Sequence, residues 1–582
     1  MRLRRLEVER FRGIRQLDWR KIGVTAAIVG PGDSGKSSVL DAIERVLSPR
    51  WNLAFDDTDF WMLETTHPIV VRATLTDLPE HFYRDTKFGL YLQGFDEDQG
   101  VAVAPTGEAE QPSALVIELT VEASLEPQWN VINSDGEKRT IQARDREALG
   151  MLRVGAYVDQ HLGWSRGSVL ARLTSEGDDG DGDTVGAALA NVARQARASL
   201  QLDDLGQLAS TAKLVEEAGR NIGVNHAAGL SPHLDAGALS VATGALGLHD
   251  GAVPVRRAGL GTRRLLTIAM QRESSKEQGI TVVDEFEHGL EPHRIRRLLR
   301  VLRGKPPEAA ATGGQLVLTT HSPTVLSELD PKEIYVARRG SDGVMTVAHL
   351  PDAIDFVLKR VPSALLAAKV VVAEGATEEG ICLALDEAWT EELSGTSFAY
   401  RGVSVVYGHG SNQPANTAKF LIQLGYGAAI FVDSDSNDQA GRAVGATVLR
   451  WPGDGDGASS EQRIALDLPL DGLREMIQLA VSSSKSHDAK AVRNAVVAKL
   501  RAAGVQATDA EFDPDALADW PLRVDEAAFR AAFGLAAKNS RWFKDRHEGH
   551  RLGQLVARHW TALANTPTRK VLEGLREFAH GV

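Results

Sequence analysis

The sequence of 582 residues contains one cysteine, Cys382, which excludes an internal disulfide framework and any multi-cysteine zinc site. It also lacks an uninterrupted apolar run of membrane-spanning length. The N-terminal segment MRLRRLEVERFRGI is basic but has no apolar core behind it, which argues against a secretory signal. We therefore expect a cytoplasmic protein that has no membrane partner.

The chain has no excess of positive charge either, since its formal net charge is -13. This excludes a surface that is positive throughout, but a phosphate backbone needs only a local basic track. Residues 294–305, RIRRLLRVLRGK, offer such a track at helical spacing. The favoured interpretation is nevertheless an amphipathic helix whose basic face is solvated.

The length exceeds what one hydrophobic core can organise, and it suggests about three or four domains. Strand and helix patterns alternate around a glycine-rich turn after residues 24–29, and strand signals return at ITVVDE and QLVLTTH. After a break near 345–365 the alternation restarts with KVVVAEG, VSVVYG and AAIFVD. This predicts an α/β fold with a second, separate parallel sheet.

Residues 30–37 read GPGDSGKS, a complete phosphate-loop motif between a predicted strand and a predicted helix. Its backbone N–H groups can turn towards phosphate oxygens, and the helix N-terminus adds a favourable dipole. Lys36 would reach the β- and γ-phosphates, and Ser37 would bind Mg²⁺. The motif predicts an ATP site formed by Gly30, Asp33, Ser34, Gly35, Lys36, Ser37 and Ser38.

Two acids and a histidine downstream indicate hydrolysis as well as binding of ATP. Asp284 ends an apolar run and would anchor Mg²⁺ through water, while Glu285 could polarise the attacking water. His321 follows the next apolar strand, in TTHSP, where it could sense the γ-phosphate.

Carboxylates also follow two strands of the second predicted sheet. Glu374 follows the first strand, Glu378 comes four residues later, and Asp433 and Asp435 follow the third strand. The carboxyl ends of parallel strands share one edge, so these acids can meet there. Clustered carboxylates repel one another unless a cation intervenes, and all-oxygen ligands favour Mg²⁺ or Mn²⁺. The pattern predicts a metal site suited to phosphodiester hydrolysis.

The phosphate loop, the DE pair and AGLGTRRLLTIAMQ (258–271) together resemble ABC-type ATPases, in the branch shared with chromosome-organising and DNA-repair ATPases. The resemblance implies that Gly261 and Thr262 head a signature helix that contacts ATP bound to the opposite subunit. At least a homodimer is then expected. The segment departs from the common serine-glycine-glycine form of that signature.

The arrangement of Glu374, Asp433 and Asp435 resembles the Toprim fold of topoisomerases, primases and certain nucleases. A topoisomerase would need a strand-attacking tyrosine in a separate DNA-binding domain. Only seven tyrosines are present, and the sequence shows no such domain. Cleavage by metal-activated water is therefore the favoured interpretation.

An ABC-type ATPase followed by Toprim resembles the overcoming-lysogenization-defect (OLD) family nucleases and is similar to the Gabija nuclease subunit. The resemblance implies that Ser459 and Glu461 are further metal ligands and that Lys544 stabilises charge on the cleaved phosphate. It also implies a DNA substrate, a role in anti-phage defence and a helicase-like partner. The implied divisions are a phosphate-loop part of the ATPase at 1–160, a helical insert with a possible dimerisation role at 161–250, the C-terminal part of the ATPase at 251–355, and a Toprim nuclease domain with a helical C-terminal part at 366–582.

Two functions of different classes are open at this point. One is an ATP-regulated, metal-dependent DNA endonuclease whose catalytic residues are Glu285, His321, Glu374, Asp433 and Lys544. The other is an ATP-driven sensor or scaffold that binds DNA or a partner and carries an inactive Toprim domain. The residues alone do not distinguish DNA from RNA as the target.

Overall fold

The computed structural model describes most of the chain. The described residues are 1–105, 111–155, 162–164, 168–170, 173, 191–192, 195, 206–221, 230, 246–274, 279–303, 314–408, 413–434, 436, 438, 442, 444–453, 458–484 and 487–581. Most of the predicted insert at 161–250 lies outside them, as does Asp435.

The strands are numbered here in chain order. They are β1 Arg2–Phe11, β2 Ile14–Arg20, β3 Thr25–Val29, β4 Ile69–Thr76, β5 Gln93–Asp96, β6 Val101–Val103, β7 Ser113–Val121, β8 Pro127–Ile132, β9 Lys138–Thr140, β10 Leu152–Val154, β11 His249–Asp250, β12 Val253–Pro254, β13 Ile280–Val283, β14 Gln315–Thr319, β15 Ile334–Arg339, β16 Val344–His349, β17 Lys369–Ala373, β18 Val403–Tyr407, β19 Gly427–Val432 and β20 Thr447–Arg450.

The α-helices are numbered in the same way. They are α1 Lys36–Leu47, α2 Ala143–Glu147, α3 Gly206–Asn221, α4 Leu260–Ser274, α5 Pro292–Arg303, α6 Pro323–Ser327, α7 Asp355–Arg360, α8 Ala376–Glu392, α9 Gln413–Gln423, α10 Ser460–Asp467, α11 Leu470–Ser483, α12 Ala489–Ala502, α13 Glu526–Ser540, α14 Arg546–Arg558 and α15 Pro567–His580. In the described part of the chain, no helix is long and apolar enough to cross a membrane.

One sheet contains fourteen strands within the described residues, in the order β10-β13-β14-β3-β15-β16-β2-β1-β4-β7-β5-β6, with β8 and β9 continuing from β7. Strands β10, β13, β14, β3 and β15 are parallel. Strands β2, β1, β4 and β7 pair antiparallel. The parallel half brings the carboxyl ends of β3, β13 and β14 to one edge, and the phosphate loop, the DE pair and the histidine segment follow those ends.

A second sheet has the order β18-β17-β19-β20, and all of its pairings are parallel. Apolar side chains fill β17 and β19 because both faces of these central strands are covered. Glu374 directly follows β17 and Asp433 directly follows β19, so both leave the sheet at the same edge. The predicted α/β fold class with a second parallel sheet is confirmed.

A shared hydrophobic core packs the two sheets against each other. One continuous cluster contains Val29 and Val283 from the first sheet and Val372 and Ile430 from the second, each with an exposed fraction of 0%. The strands that carry the two groups of predicted site residues therefore belong to one packed unit. Neither group lies on a separate, loosely tethered lobe.

Helices α8 and α14 cross at very close range. A Cβ atom on Gly549 would lie 2.7 Å from the Cα atom of Thr377, so no side chain fits there without moving the backbone. Thr377 Oγ1 also donates a hydrogen bond to the Phe543 carbonyl at 2.6 Å. Because of this crossing, Lys544, which follows Phe543 in the chain, lies near the start of α8. It is also close to Glu378 on the first turn of that helix.

Candidate nucleotide and metal sites

The phosphate loop between β3 and α1 borders a cleft of about 530 Å³. Of the predicted loop residues, those that line it are Asp33, Ser34, Gly35, Lys36, Ser37 and Ser38. Asp284, Glu285 and His321 line the same cleft. The structure therefore brings together three segments that are far apart in the sequence.

Lys36 lies folded over the loop that precedes it. Its Nζ atom donates hydrogen bonds to the Pro31 carbonyl at 2.7 Å and to the Gly30 carbonyl at 3.1 Å. Gly35 has a φ of 88°, a left-handed conformation that lets the chain turn into α1. Burial lowers the pKa of Lys36, although the charge of Asp284 opposes this. The ammonium group is thus held above the loop, where a bound phosphate would replace its carbonyl contacts.

Asp284 is anchored by hydroxyl groups and by an arginine. Thr319 Oγ1 donates to Asp284 Oδ1 at 2.6 Å, and Ser37 Oγ approaches the same oxygen at 3.4 Å. Arg153 Nη2 donates to Asp284 Oδ2 at 3.2 Å and to Asp41 Oδ1 at 2.9 Å. The proximity of Ser37 and Asp284 suits a shared Mg²⁺. Sequence reasoning missed Thr319 and Arg153.

Glu285 sits at a strained point of the backbone. Its φ of 46° is unusual for a residue with a side chain. Thr319 stabilises this turn, because its Oγ1 accepts the Glu285 N–H at 2.8 Å. The Glu285 side chain is exposed to 55% and faces the cleft. An exposed acid thus lies beside the phosphate loop, and its Oε2 atom is 3.2 Å from His288 Nδ1. A role for Glu285 in orienting the attacking water remains a prediction.

Glu287 fixes the histidine segment, a role that sequence reasoning also missed. Its carboxylate accepts hydrogen bonds from Thr320 Oγ1 and from the His321 backbone N–H, each at 2.7 Å. The two threonines directly before His321 were the available signal, because hydroxyl groups at the end of a strand commonly hold a neighbouring loop.

The structure does not bring Gly261 and Thr262 to the phosphate loop of the same chain. They begin α4, and Gly261 packs against the Gly289 carbonyl and lies close to Leu290. Arg264, one turn further on, donates a hydrogen bond to the Asp284 carbonyl. Helix α4 is thus hydrogen-bonded to the backbone of the DE pair through Arg264. Contact with ATP of an opposite subunit remains a prediction.

A cluster of carboxylates lies at the carboxyl edge of the second sheet. Glu374 Oε2 accepts the Asp433 N–H at 2.9 Å. Asp433 Oδ1 in turn accepts the Ser460 N–H at 3.3 Å, and Ser460 Oγ donates to Glu378 Oε1. Lys544 Nζ lies 3.3 Å from Glu461 Oε1.

The electrostatics of this cluster show a shortage of positive charge. Burial, followed by the charges of Glu378 and Glu374, raises the pKa of Asp433 to about 8. Burial also raises the pKa of Glu378. Burial alone would lower the pKa of Lys544, but the charges of Glu461, Glu378 and Asp433 outweigh it and raise that pKa. One lysine therefore faces two buried acids, Glu378 and Glu461, and the partly buried Asp433.

The oxygen atoms of these carboxylates are of the kind that divalent cations such as Mg²⁺ bind. Glu461 has an exposed fraction of 0%, and the ammonium group of Lys544 lies 3.3 Å from its Oε1 atom. Such a buried carboxylate is costly unless a cation satisfies it. Ser459 is the N-cap residue of α10, two positions before this acid. Among the described residues, however, no three His, Cys, Asp or Glu side chains are arranged to hold a metal ion.

Comparisons with known families match these two regions. Residues 3–58 match a family described as the P-loop containing region of an AAA domain, and residues 170–327 match an AAA domain described with the words "AbiEii toxin, Type IV TA system". Residues 365–435 match the Toprim domain of overcoming-lysogenization-defect-like proteins. The chain therefore combines a P-loop ATPase region with an OLD-like Toprim domain, and this combination matches an ATPase–Toprim fusion of the OLD type. Strands β17, β18 and β19 of the second sheet thus belong to an OLD-like Toprim domain.

Among solved structures, the SMC head domain from Thermotoga maritima is 14% identical, with a TM-score of 0.28 over 60% of this chain and 100% of that chain. The SmcHead bound to the C-winged helix domain of ScpA is also 14% identical, with a TM-score of 0.33 over 60% and 98% of the two chains. At these TM-scores neither structure adds to the assignment. The chain matches no curated protein.

Two residues that support the Toprim site were missed from the sequence. Ser460 connects Asp433 to Glu378, and the second serine of ASSEQ at a helix start was its only signal. Arg450 at the end of β20 donates to the Ser434 carbonyl at 2.9 Å and to the Ser436 carbonyl at 2.6 Å. Arg450 thereby holds the segment that directly follows Asp433.

We expect Lys544→Met to lower the unfolding free energy of the metal-free OLD-type protein by roughly 3 kcal/mol, because it leaves the buried charge of Glu461 uncompensated. Urea titrations in EDTA and in Mn²⁺ would measure this. Mn²⁺ should stabilise the variant more than the parent, since the metal would replace the missing charge. Lys570→Met, at an exposed position of α15, is the control. Equal losses in both variants would contradict the prediction.

Proposed function

We propose that the chain is an ATP-regulated, divalent-metal-dependent DNA endonuclease in which an ABC-type ATPase dimer controls the Toprim nuclease site. The juxtaposition of Glu374, Glu378, Asp433 and Glu461 with Lys544 supports this proposal. These side chains come from separate segments and meet at the edge of an OLD-like Toprim sheet. A purely structural sheet edge has no need of four neighbouring acids, of which Glu378 and Glu461 are buried.

A divalent metal bound there would supply positive charge for a phosphodiester transition state. Glu374, Glu378, Asp433 and Glu461 are the side chains that would hold it, and Glu374 also keeps Asp433 in place by accepting its backbone N–H. Lys544 would donate hydrogen bonds to a phosphate oxygen, because its ammonium group already lies beside Glu461. Roles for Asp435 and Ser459 as further ligands remain part of the proposal.

ATP would serve as a conformational switch in this scheme. Hydrolysis of a phosphodiester is already downhill, so the nuclease reaction needs no energy from ATP. Lys36, Ser37 and Asp284 would hold Mg²⁺-ATP, with Glu285 and His321 acting on its γ-phosphate. Gly261 and Thr262 would complete the site of the partner subunit, which makes a homodimer or higher oligomer part of the proposal.

The biological setting is proposed from the domain combination alone. The OLD-type fusion supports a role in anti-phage defence in the cytoplasm, similar to Gabija, with a helicase-like or other defence protein as a possible partner. No described residue identifies that partner.

A second candidate is an ATP-driven sensor or scaffold that binds DNA or a partner and has an inactive Toprim domain. The observation in its favour is that the described residues contain no ready-made group of three metal-binding side chains. The two candidates differ in one measurable property, metal-dependent cleavage.

The test is cleavage of supercoiled plasmid in Mg²⁺ or Mn²⁺, with and without ATP, by the parent and by Asp433→Ala. We expect cleavage by the parent only, and a change in its rate when ATP is added. A matched RNA substrate distinguishes the two nucleic acids. Equal activity in both proteins would refute the assignment of the nuclease site to this cluster of acids. Absence of cleavage in the parent, with intact ATP hydrolysis, would favour the scaffold.

A further inference from the structure

The nucleotide cleft has a cationic wall that the phosphate-loop motif does not include. Arg339, the last residue of β15, lines the cleft and is exposed. Its Nη1 atom makes a long hydrogen bond of 3.4 Å to the Gly13 carbonyl. Gly13 leaves room for this guanidinium, because a Cβ atom there would collide with it.

The register of the sheet explains why Arg339 reaches the cleft. Strands β15 and β3 are parallel, and Val336 pairs with Val29, the last residue before the phosphate loop. Continuing this register places Arg339 level with Gly32. The end of β15 therefore runs alongside the phosphate loop.

The preceding residue, Arg338, points to the Toprim domain, because successive side chains of a strand face opposite sides. Its guanidinium lies 4.0 Å from the centre of the Tyr426 ring, and its Nε atom donates to the Leu424 carbonyl at 3.2 Å. A Cβ atom on Gly425 would lie 3.0 Å from Arg338 Cγ, so glycine leaves room for the aliphatic part of this arginine.

The segment that Arg338 contacts leads directly into the nuclease site. Tyr426 is buried, and its hydroxyl donates to the Leu365 carbonyl at 2.7 Å. The next residue begins β19, and Asp433 directly follows the end of that strand. A displacement at Tyr426 therefore acts on one end of a central strand whose other end carries Asp433.

We propose that Arg338 and Arg339 at the end of β15 couple the two sites: Arg339 contacts the bound nucleotide, and Arg338 transmits its occupancy to the strand that positions Asp433. The expected consequence of this coupling is control of cleavage by ATP, and that consequence rests on the proposed function. Contiguous packing is one physical route for such coupling, and a coupling measurement is what establishes it.

The nucleotide contact is tested with Arg339→Ala. We expect the Kd for a non-hydrolysable ATP analogue and the KM for ATP to rise about tenfold, with kcat little changed, because a charge-assisted hydrogen bond to the nucleotide is lost. Arg15→Ala is the matched control, since Arg15 is an exposed arginine on the same sheet that pairs with Asp342 at 3.1 Å. An unchanged Kd in Arg339→Ala overturns this half of the proposal.

The coupling is tested by hydrogen exchange across 424–434, with and without the ATP analogue. In the parent, the analogue should change exchange in this segment. In Arg338→Met that change should disappear, while the analogue still binds within about threefold of the parent affinity. Arg360→Met is the control, because Arg360 contacts Tyr407 of the same domain without belonging to β15. Arg360→Met should keep the change.

A nucleotide-dependent change that persists in Arg338→Met, or that is absent in the parent, overturns the coupling. If Arg338→Met does not fold, Arg338→Lys decides instead: it keeps the charge but loses planar stacking on Tyr426, so the change should shrink. Hydrogen exchange does not require cleavage. A parent that never cuts DNA would therefore refute the nuclease and still leave the coupling measurable.

Discussion

Replacing Glu285 by glutamine is expected to slow ATP hydrolysis by about 100-fold or more, while ATP binding stays within about threefold of the parent. Glu285 lines the cleft and is exposed, and Thr319 holds its backbone in the strained conformation. Glutamine has the same shape but cannot accept a proton from the attacking water. Steady-state phosphate release and equilibrium binding of ATP would measure the two quantities separately.

The matched control is Glu291→Gln. Glu291 follows Glu285 closely, but its carboxylate pairs with Arg294 at 3.0 Å on the surface. Its loss should change hydrolysis by less than about threefold, since exposed ion pairs contribute little. If Glu285→Gln also traps ATP, light scattering should show an increase in dimer at saturating ATP. Hydrolysis that survives in Glu285→Gln would assign the water-orienting role elsewhere.

The fold and the nucleotide site could be predicted from the sequence because their signals are local. The motif at 30–37 determines a strand, a turn and a helix by itself, and apolar runs before Asp284 and Glu374 mark buried strands. Parallel pairing then brings the strand ends together. For this reason the cleft contains the acids predicted for the ATP site, Asp284 and Glu285, together with His321.

The supporting residues could not be predicted, because their roles depend on contacts between distant segments. Arg153 reaches Asp284 over 131 positions, and Thr377 reaches Phe543 over 166. Nothing in the sequence around Gly549 indicates that it allows two helix backbones to touch. Arg339 has no motif of its own, and only the register of β15 against β3 places it in the cleft.

A pair of neighbouring glutamates gives the sharpest test of the nuclease site. Glu378 and Glu379 both lie on the first turn of α8 and both are buried, with exposed fractions of 3% and 8%. Glu378 faces the cluster and accepts a hydrogen bond from Ser460. Glu379 instead lies 3.6 Å from Arg546, away from the other acids. Composition, helix position and burial are therefore matched, and only the direction of the side chain differs.

We expect Glu378→Gln to reduce metal-dependent plasmid cleavage by more than about 100-fold, because the proposed function makes Glu378 a charged metal ligand. Even partners of metal ligands commonly change activity by about 10- to 100-fold. Glu379→Gln should stay within about threefold, since glutamine can still accept a hydrogen bond from Arg546. Titration of Mn²⁺ binding provides a second readout, and only Glu378→Gln should weaken it. Equal loss in both variants would indicate that any change at the start of α8 disturbs folding. The charge of Glu378 would then not be what decides activity.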